Sequence, residues 1–446
     1  MRVIIVGAGE VGYNIAKFLI HEEIDVVIID RDGEKLKKIS EELDIATIEG
    51  EGSDPSVFKE AGAKNADILI AVTNSDETNM IACLLGKAMF DIKRRIARIR
   101  NPDYFFNKEL LGKDYLDIDP AINPEFETAK AILRILEIPF ATEVIEFEGG
   151  KIVVAGLKIP KQSKVNNKEL KYLRSIINKD FIIGIVKRNE DIIVPRGEDV
   201  IKEGDVVYIP LKKEEAMEIA KAFDIPVFPT QKVMIVGGGR IGYYIAKELE
   251  GKVDVKIIEK NEEKCKFLSK NLSKALILYG DGTDKDLLLE ENIKDMDAYI
   301  TVSGNDEMNI MGALLAKKLG VKKVIALVNK PDYIPLAYEL GVQSVLSPRL
   351  LTASIILRYL RKGDVLSLTA VAENKVEIME VLGSYKSSIV NKALKDIKFP
   401  KNAVIGAIVR GGEIIIPKGE DIIKEGDKLV IFALKDSIKD VEKLLT

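Results

Sequence analysis

One histidine and two cysteines are all that 446 residues offer toward imidazole or thiol chemistry. The histidine, His21, falls near the end of the first expected helix, where an imidazole reads most simply as a solvated surface group. Cys83 and Cys265 occupy unrelated places in the two halves of the chain. That placement speaks against a disulfide or a shared metal and suits a reducing cytoplasm. No Ser/His/Asp, Cys/His or metal-ligand spacing appears, so the chain has no visible equipment for those kinds of catalysis. A membrane-crossing helix needs a run of about 18 apolar residues, and none is present. Nor does a signal peptide open the chain, because Met1 leads directly into a strand. The formal charge is only −4 over this length, which gives no footprint for coating nucleic acid or an anionic lipid surface. Glutamine is scarce, at Gln162, Gln231 and Gln343, while Lys, Glu and Ile abound, a balance that leans toward a thermophilic source.

What is present is a packed composition written twice. Hydrophobic residues make up 47% and charged residues 31%, and the length calls for several domains. "VIIVGAGEVG" (3–12) returns as "VMIVGGGRIG" (233–242), and "EGEGSD" (49–54) as "YGDGTD" (279–284). "AVTNSDETNM" (71–80) aligns with "TVSGNDEMNI" (301–310), and "RNPDY" (100–104) with "NKPDY" (329–333). A second kind of unit repeats as well, "IIVPRGEDVIKEGDVVYI" (192–209) against "IIIPKGEDIIKEGDKLVI" (414–431). The order is therefore A–B–A′–B′. The stretch "DIPVFPTQ" (224–231), with two prolines and little periodicity, reads as the linker between halves.

Unit A alternates short Val/Ile-rich runs, at 2–6, 25–29, 45–48, 67–72 and 94–99, with helical stretches. Such alternation predicts βαβ units and a parallel sheet covered on both faces. Another helix and a short strand near Leu116 to Ile118 follow, then an amphipathic segment at 124–136 whose counterpart is 348–360. Unit B reads as a small α+β module, with strands in "KIVVAGLKIP", "IIGIVKR", "DIIVP" and "VVYIP" and helical stretches near 166–177 and 213–223. The expected fold class is α/β: two Rossmann-like, doubly wound parallel-sheet domains, each followed by a small α+β domain. The boundaries fall at 1–138, 139–224, 231–364 and 365–446.

A Gly-x-Gly-x-x-Gly pattern alone says little, but here it follows a strand, opens a helix and has an acid at the right distance. Gly7 permits the tight turn, Gly9 lets the backbone approach a pyrophosphate, and Gly12 allows close helix–strand packing. The free N–H groups at the helix start favour phosphate. Asp30, at the end of the second strand, can accept hydrogen bonds from both ribose hydroxyls. Gly237, Gly239, Gly242 and Glu259 repeat the arrangement. An acid there disfavours a 2′-phosphate, so NAD(H) or an adenine nucleotide is expected over NADP(H). Gly52 and Ser53 after the third strand, and Thr73 and Asn74 after the fourth, stand at carboxyl ends where such sheets bind ligands. Their counterparts are Gly282, Thr283 and Ser303. The Thr73/Asn74 loop reads equally well as a polar helix cap beside Asp76. Arg98, on the fifth strand, reads either as a phosphate or base contact or as an ordinary surface arginine.

An oxidoreductase would need a proton-shuttling group. "YNIAK" (13–17) and "YYIAK" (243–247) offer Tyr-x-x-x-Lys, but in the helix under the pyrophosphate rather than beside a nicotinamide. The sequence therefore favours a nucleotide pocket without chemistry, whose ligand acts by its differential affinity for conformations. A dehydrogenase with a duplicated Rossmann domain is the alternative reading.

Together the A–B–A′–B′ order, "VIIVGAGEVG…VVIIDRD", "AVTNSDETNM", "IARIRNPDY" and "IKEGD" resemble the RCK/KTN family in its tandem form, over essentially the whole chain. The resemblance implies a non-enzymatic, cytosolic regulatory subunit, peripheral on the inner face of the cell membrane. It implies NAD(H), or ATP/ADP, in each N-terminal-type unit, with regulatory C-terminal-type units. The implied partners are a membrane-embedded, Trk-type potassium transporter subunit and further copies of the chain, in a dimer or tetramer forming a ring. Carried over residue by residue, Gly7, Ala8, Gly9, Glu10 and Val11 match the phosphate loop, Asp30 the ribose acid, Thr73 and Asn74 the fourth-strand loop, and Arg98 a nucleotide-contacting arginine. In the second half Gly237, Gly238, Gly239, Arg240 and Ile241 match the loop, Glu259 the acid, and Gly282 and Thr283 the turn. Leu327 stands where the first half has Arg98, which changes what the second site offers a ligand. In this family a helix at the position of 124–136 and 348–360 crosses to the neighbouring unit. Periodicity alone equally allows each to pack on its own sheet.

Overall fold

The computed structural model describes residues 1–21, 23–189, 191–359, 365–371, 375–385 and 387–445. The expectation for the His21 side chain, the Leu360 end of the 348–360 segment and the 364 boundary fall outside the described residues. By contact density the chain divides into two compact units, Met1–Glu127 with Pro348–Leu357, and Thr128–Ser347 with Arg358–Thr446.

The first unit is built on a parallel sheet of β1 (Arg2–Val6), β2 (Asp25–Asp30), β3 (Ala46–Glu49), β4 (Ile68–Ala71), β5 (Arg94–Arg98) and β6 (Ala121–Ile122). Its order is β3-β2-β1-β4-β5-β6, the doubly wound arrangement that leaves a crevice where the strand order reverses, between β1 and β4. Continuous apolar runs, Val3 to Val6 and Val26 to Ile29, are fully buried because helices cover both faces. Side-chain caps start those helices: Asp32 accepts from Lys35 N, Asp54 from Ser56 N and Ser75 from Thr78 N. The sixth strand lies at 121–122, not at 116–118 as the sequence suggested. Leu116 and Ile118 pack into the core instead: the N–H groups of Leu116, Asp117 and Ile118 turn back to the carbonyls of Leu110, Gly112 and Leu111, and the Arg95 guanidinium holds the Asp117 carbonyl (3.1 Å) and carboxylate (2.6 Å), so the segment's hydrogen bonds close a local loop rather than a sheet ladder. Residues 348–357 cluster with this first sheet rather than with the sheet that precedes them in sequence.

In the second unit the first small module contains β7 (Ala141–Phe147), β8 (Ile152–Lys158), β9 (Lys168–Glu169), β10 (Ile185–Arg188), β11 (Asp191–Ile193), β12 (Val200–Ile201) and β13 (Val206–Lys212). Five of these form an antiparallel sheet, β11-β10-β13-β8-β7, and β9 pairs with β12. The parallel sheet that follows, β14 (Lys232–Val236), β15 (Asp254–Glu259), β16 (Leu276–Tyr279), β17 (Ala298–Thr301), β18 (Lys323–Leu327) and β19 (Ser344–Leu346), repeats the first in order and direction. Its helix caps are Asn261, Asp284 and Asn305, at the positions of Asp32, Asp54 and Ser75. The last module supplies β20 (Val365–Val371), β21 (Val376–Leu382), β22 (Ala403–Arg410), β23 (Glu413–Ile415) and β24 (Lys428–Leu434), ordered β20-β21-β24-β22-β23.

The two antiparallel sheets share one core. Phe147, Ile152, Val154 and Tyr208 from the first meet Val376, Ile378, Val430 and Phe432 from the second. Each module of about eighty residues is too small to bury much apolar surface alone, and this pairing covers the face each would otherwise expose. Within each module the "IKEGD" turn is stapled. Asp205, its side chain fully buried, accepts two bonds from Arg188 at 2.8 Å and one from Lys202 N, and Asp427 repeats this with Arg410 and Lys424 N. The repeated motif is thus a fold element.

One buried charge site tests the packing of this unit. Lys323, 3% exposed at the start of β18, gives its Nζ to the Ala141 carbonyl, and burial pushes its ammonium down to about 7. Between that value and the ordinary 10.5 the unfolded chain holds a proton that the folded chain lacks, so this group makes stability rise with pH, by at most about 1.4 kcal/mol per unit. Lys323→Met should therefore be more stable than wild type near pH 7, with the advantage shrinking toward about pH 9 as the wild-type penalty fades. Urea titrations of both proteins at the two pH values check this; a gap that stays constant or widens contradicts it.

Candidate functional site

The first cleft opens at the carboxyl edge of the first sheet, at the β1/β4 crevice. β1 runs straight into Gly7, whose φ of +114° belongs to the left-handed region and whose missing side chain leaves room for Thr73 N, 2.9 Å from where a Cβ would stand. At Gly12 a Cβ would collide with the Gly7 carbonyl oxygen, so the helix Glu10–His21 can close on the loop only with glycine there. Nothing lies within 4 Å of a Cβ built on Gly9, which leaves the loop's outer side open to a ligand. Asp30 ends β2 and anchors the loop: its Oδ2 accepts from Ala8 N at 2.6 Å and its Oδ1 from Asp32 N at 3.0 Å. Each oxygen keeps a lone pair directed outward, the capacity a sugar diol requires.

The opposite wall is held by a residue that sequence reasoning passed over. Asn79, fully buried in the helix Asp76–Ala88, accepts from Thr73 N (2.9 Å) and Thr73 Oγ1 (2.7 Å) and donates to the carbonyls of Thr73 (3.2 Å) and Arg98 (2.8 Å). It binds the end of β4 to the end of β5. Asp76 adds to this by accepting from Arg100 N and Asn101 N. The signal for Asn79 was in the repeats, since Asn309 stands at the same offset amid apolar neighbours and makes the same four bonds, to Ser303 and Leu327.

These walls enclose about 310 Å³, lined among others by Gly7, Gly9, Asp30, Gly52, Thr73 and Asn74. Ser75 caps the following helix, so the Thr73/Asn74 loop both lines the cavity and leads into a capped helix. Arg98 reaches the rim, where its Nη1 donates to Asn74 Oδ1 at 3.3 Å. Arg31, Lys35 and Glu51 also line the cavity and were not foreseen; Arg31 and Lys35 bring positive charge to its mouth. Asp32 holds the Lys35 ammonium at 3.0 Å and shifts its pKa upward. The other expected residues stand aside from the lining. Ala8 is buried, its N–H committed to Asp30, and Gly12 is a packing residue. Val11 is half-buried, Ser53 is exposed, and Glu10 is exposed and pairs with Arg349 of the helix Pro348–Arg358.

The second half builds the same frame. Gly237 has φ +108°, Gly238 N donates to Glu259 Oε2 at 2.6 Å, and Asn261 N donates to Oε1 at 2.8 Å. A Cβ on Gly242 would again meet the loop carbonyl, here that of Gly237, and Gly239 is again open. Arg240 is exposed, Ile241 buried, and Gly282 packs on Val236. Thr283 donates from both N and Oγ1 to Asp281, bonds that lower the Asp281 carboxyl below its usual range. Ser303 takes the role of Thr73. Leu327 is buried and contributes only its carbonyl, so the guanidinium at the first rim has no equivalent on β18.

Tyr13 of the Tyr-x-x-x-Lys pattern donates its hydroxyl to Glu42 Oε2 at 2.6 Å, and Tyr243 packs edge-on against Phe267. Both belong to helix surfaces. Burial pushes the Cys83 thiol up to about 12. No group of three or more His, Cys, Asp or Glu that could hold a metal ion occurs among the described residues, and no helix there is long and apolar enough to cross a membrane.

Family models for the TrkA-N domain match residues 3–124 and 233–348, and those for the TrkA-C domain match 154–224 and 378–446. The "Trk system potassium uptake protein TrkA homolog 1" of Methanosarcina mazei is 38% identical over 451 residues, covering 99% of both chains. The "Trk system potassium uptake protein TrkA" of Halomonas elongata is 36% identical, covering all of this chain and 98% of its own length. Among solved structures the fold is similar to the GsuK RCK domain, with a TM-score of 0.62 at 19% identity, spanning all of this chain and 94% of that one. It is also similar to the GsuK channel bound to NAD, with a TM-score of 0.61 at 19% identity, spanning all of this chain and 78% of that one.

Removing the Asn79 clamp should cost stability before it costs anything else. Asn79→Ala removes its bonds to the Thr73 N–H and to the Thr73 and Arg98 carbonyls, for a loss of about 1–3 kcal/mol in urea denaturation. Asn74→Ala, at an exposed position, should stay within about 0.5 kcal/mol. Equal losses in the two variants would mean that Asn79 clamps nothing.

Proposed function

The chain belongs to the TrkA family of Trk system potassium uptake proteins, and from that premise we propose that it is the nucleotide-binding regulatory subunit of such a system. It acts on the cytosolic side of the membrane, and potassium passes through a membrane-embedded partner. The observation that carries this reading is the pair of glycine-loop cradles, each closed on its own strand-end acid, in a chain whose Tyr13 and Tyr243 are engaged by Glu42 and Phe267. Such a cradle binds a dinucleotide or adenine nucleotide, with phosphates on the loop N–H groups and the ribose on Asp30 or Glu259. No covalent bond need be made or broken. The ligand acts by binding one conformation of the assembly better than another.

We assign nucleotide contact in the first half to Gly7, Gly9, Asp30, Gly52, Thr73, Asn74 and Arg98, and in the second to Gly237, Gly239, Glu259, Gly282, Thr283 and Ser303. The two nucleotide-binding domains span 1–138 and 231–364, and the regulatory modules 139–224 and 365–446. NAD(H) is the preferred ligand, since the strand-end acids select a free 2′-hydroxyl. The chain acts as a homo-oligomer, in which exchange of ligand between two clefts per chain is transmitted to the partner.

Mass spectrometry of the small molecule retained through purification identifies the ligand, and NAD(H) is the expected result. In calorimetric titration with NADH, Asp30→Ala should weaken the first site by about tenfold or more, the worth of hydrogen bonds to a charged group. Leu327→Arg should tighten the second. Unchanged binding in Asp30→Ala would mean that the ribose lies elsewhere. Steady, substrate-dependent NADH oxidation abolished by Tyr13→Phe would make the protein an oxidoreductase.

A further inference from the structure

A larger cavity, about 610 Å³, lies within the second unit and away from both glycine loops. Its walls come from the first antiparallel module, from the 224–231 stretch, and from the amino-terminal edge of the second parallel sheet. We propose that this cleft is a separate binding site for a ring-bearing organic anion of the size of a nucleoside phosphate.

Charge gives the first half of the argument. Lys158, Lys187, Lys317 and Lys322 line the cleft against two carboxylates, Glu143 and Glu339. Glu143 is already engaged, accepting the hydroxyls of Tyr208 at 2.8 Å and Tyr338 at 3.4 Å. Lys322 is matched by Asp297 at 3.0 Å. Lys317 donates only to a neutral carbonyl, that of Gly341, at 2.7 Å, and keeps its charge for a ligand. Lys158 is exposed at the end of β8, where its backbone pairs with Val206, and its side chain makes no hydrogen bond or ion pair among the described residues. The cleft is therefore cationic, with ammonium groups on facing walls.

Shape gives the second half. Phe140, Phe228 and Tyr338 present flat apolar faces, and Pro139, Pro226 and Pro335 fill the spaces between them. The Lys187 ammonium stands 4.8 Å over the Tyr338 ring and the Lys322 ammonium 5.5 Å over Phe228, so each ring carries a cation on one face and has its other face for a ligand ring. A cavity of this volume, mostly apolar with a few converging polar groups, is the usual form of a small-molecule site. A purine-sized ring would lie between the aromatic faces while its phosphate met Lys158 and Lys317. The stretch that reads in sequence as a bare linker supplies Pro226 and Phe228 to this wall, which gives its apolar residues a use. A ligand here touches the first module and the second parallel-sheet domain at once, and so would brace one against the other.

Photolabelling of the full chain with 8-azidoadenosine 5′-monophosphate, followed by peptide mass spectrometry, tests this by location. Label is expected on the peptides bearing Phe228 or Tyr338. It should be competed by AMP, and not by adenosine or inorganic phosphate at the same concentration. Lys158→Glu and Lys317→Glu, both exposed positions, should each reduce it by at least about fivefold without changing the melting temperature. No label on these peptides, label unchanged in both variants, or competition by adenosine or phosphate alone as strong as by AMP would each overturn the proposal. Label on glycine-loop peptides reports separately on those clefts, so failure of one site is distinguishable from failure of the other.

Discussion

A single backbone N–H bonded to a strand-end carboxylate sets the geometry on which both clefts depend. In the first half it is Ala8 N to Asp30, in the second Gly238 N to Glu259, each at 2.6 Å. The carboxylate's other oxygen takes an N–H two residues further on, so an anion at the sheet edge is satisfied by amides rather than by a counter-charge. Because the donor sits inside the glycine loop, the same bond holds the loop against the second strand. The buried asparagine fixes the far wall, and a positive-φ glycine leaves space between. The loop, the second strand and the far wall are thus tied together by hydrogen bonds within the chain itself.

What remains to respond to a ligand is the rim. Arg98 on Asn74, Lys35 on Asp32 and Glu10 with Arg349 are partly or wholly exposed polar pairs around the first cleft. Exposed pairs of this kind are worth about 1 kcal/mol or less and re-form cheaply. Arg349 reaches Glu10, at the start of the helix after the glycine loop, from a helix late in the sequence. The walls are stiff and the rim is exchangeable, which is the division of labour a ligand-operated switch needs.

Much of this was legible in the sequence because the physics involved is local. Strand runs, helix caps, the loop glycines and the acid at the end of the second strand each declare themselves within a few residues, and duplication let each half check the other. Elements that depend on distant partners did not declare themselves. Leu116 and Ile118 carry a strand-like pattern, yet their N–H groups turn back to the carbonyls of Leu110 and Leu111, and Arg95 holds Asp117 between them. Asn79 looked like one more polar residue on a helix until its bonds to two strand ends were visible. Strand β7 was passed over because its value lies in pairing with β8 and facing the last module's sheet. The joint core of the two small modules likewise cannot be read from either copy alone.

Duplication also shows where the halves were allowed to diverge. Residues that fix the backbone are kept in kind: Gly7 with Gly237, Gly12 with Gly242, Asp30 with Glu259, Asn79 with Asn309. Residues outside that frame differ, with Arg98 against Leu327 and Glu10 against Arg240. The residues kept in both halves are those whose hydrogen bonds or missing side chains hold the backbone in place. A chain built on one frame twice, with a guanidinium at one rim and a buried leucine at the other, has two clefts that need not fill at the same ligand concentration. On the function proposed above, a phosphate-bearing ligand would meet a guanidinium on the fifth strand of the first sheet that the second sheet does not offer, while the shared frame keeps the two sites geometrically alike.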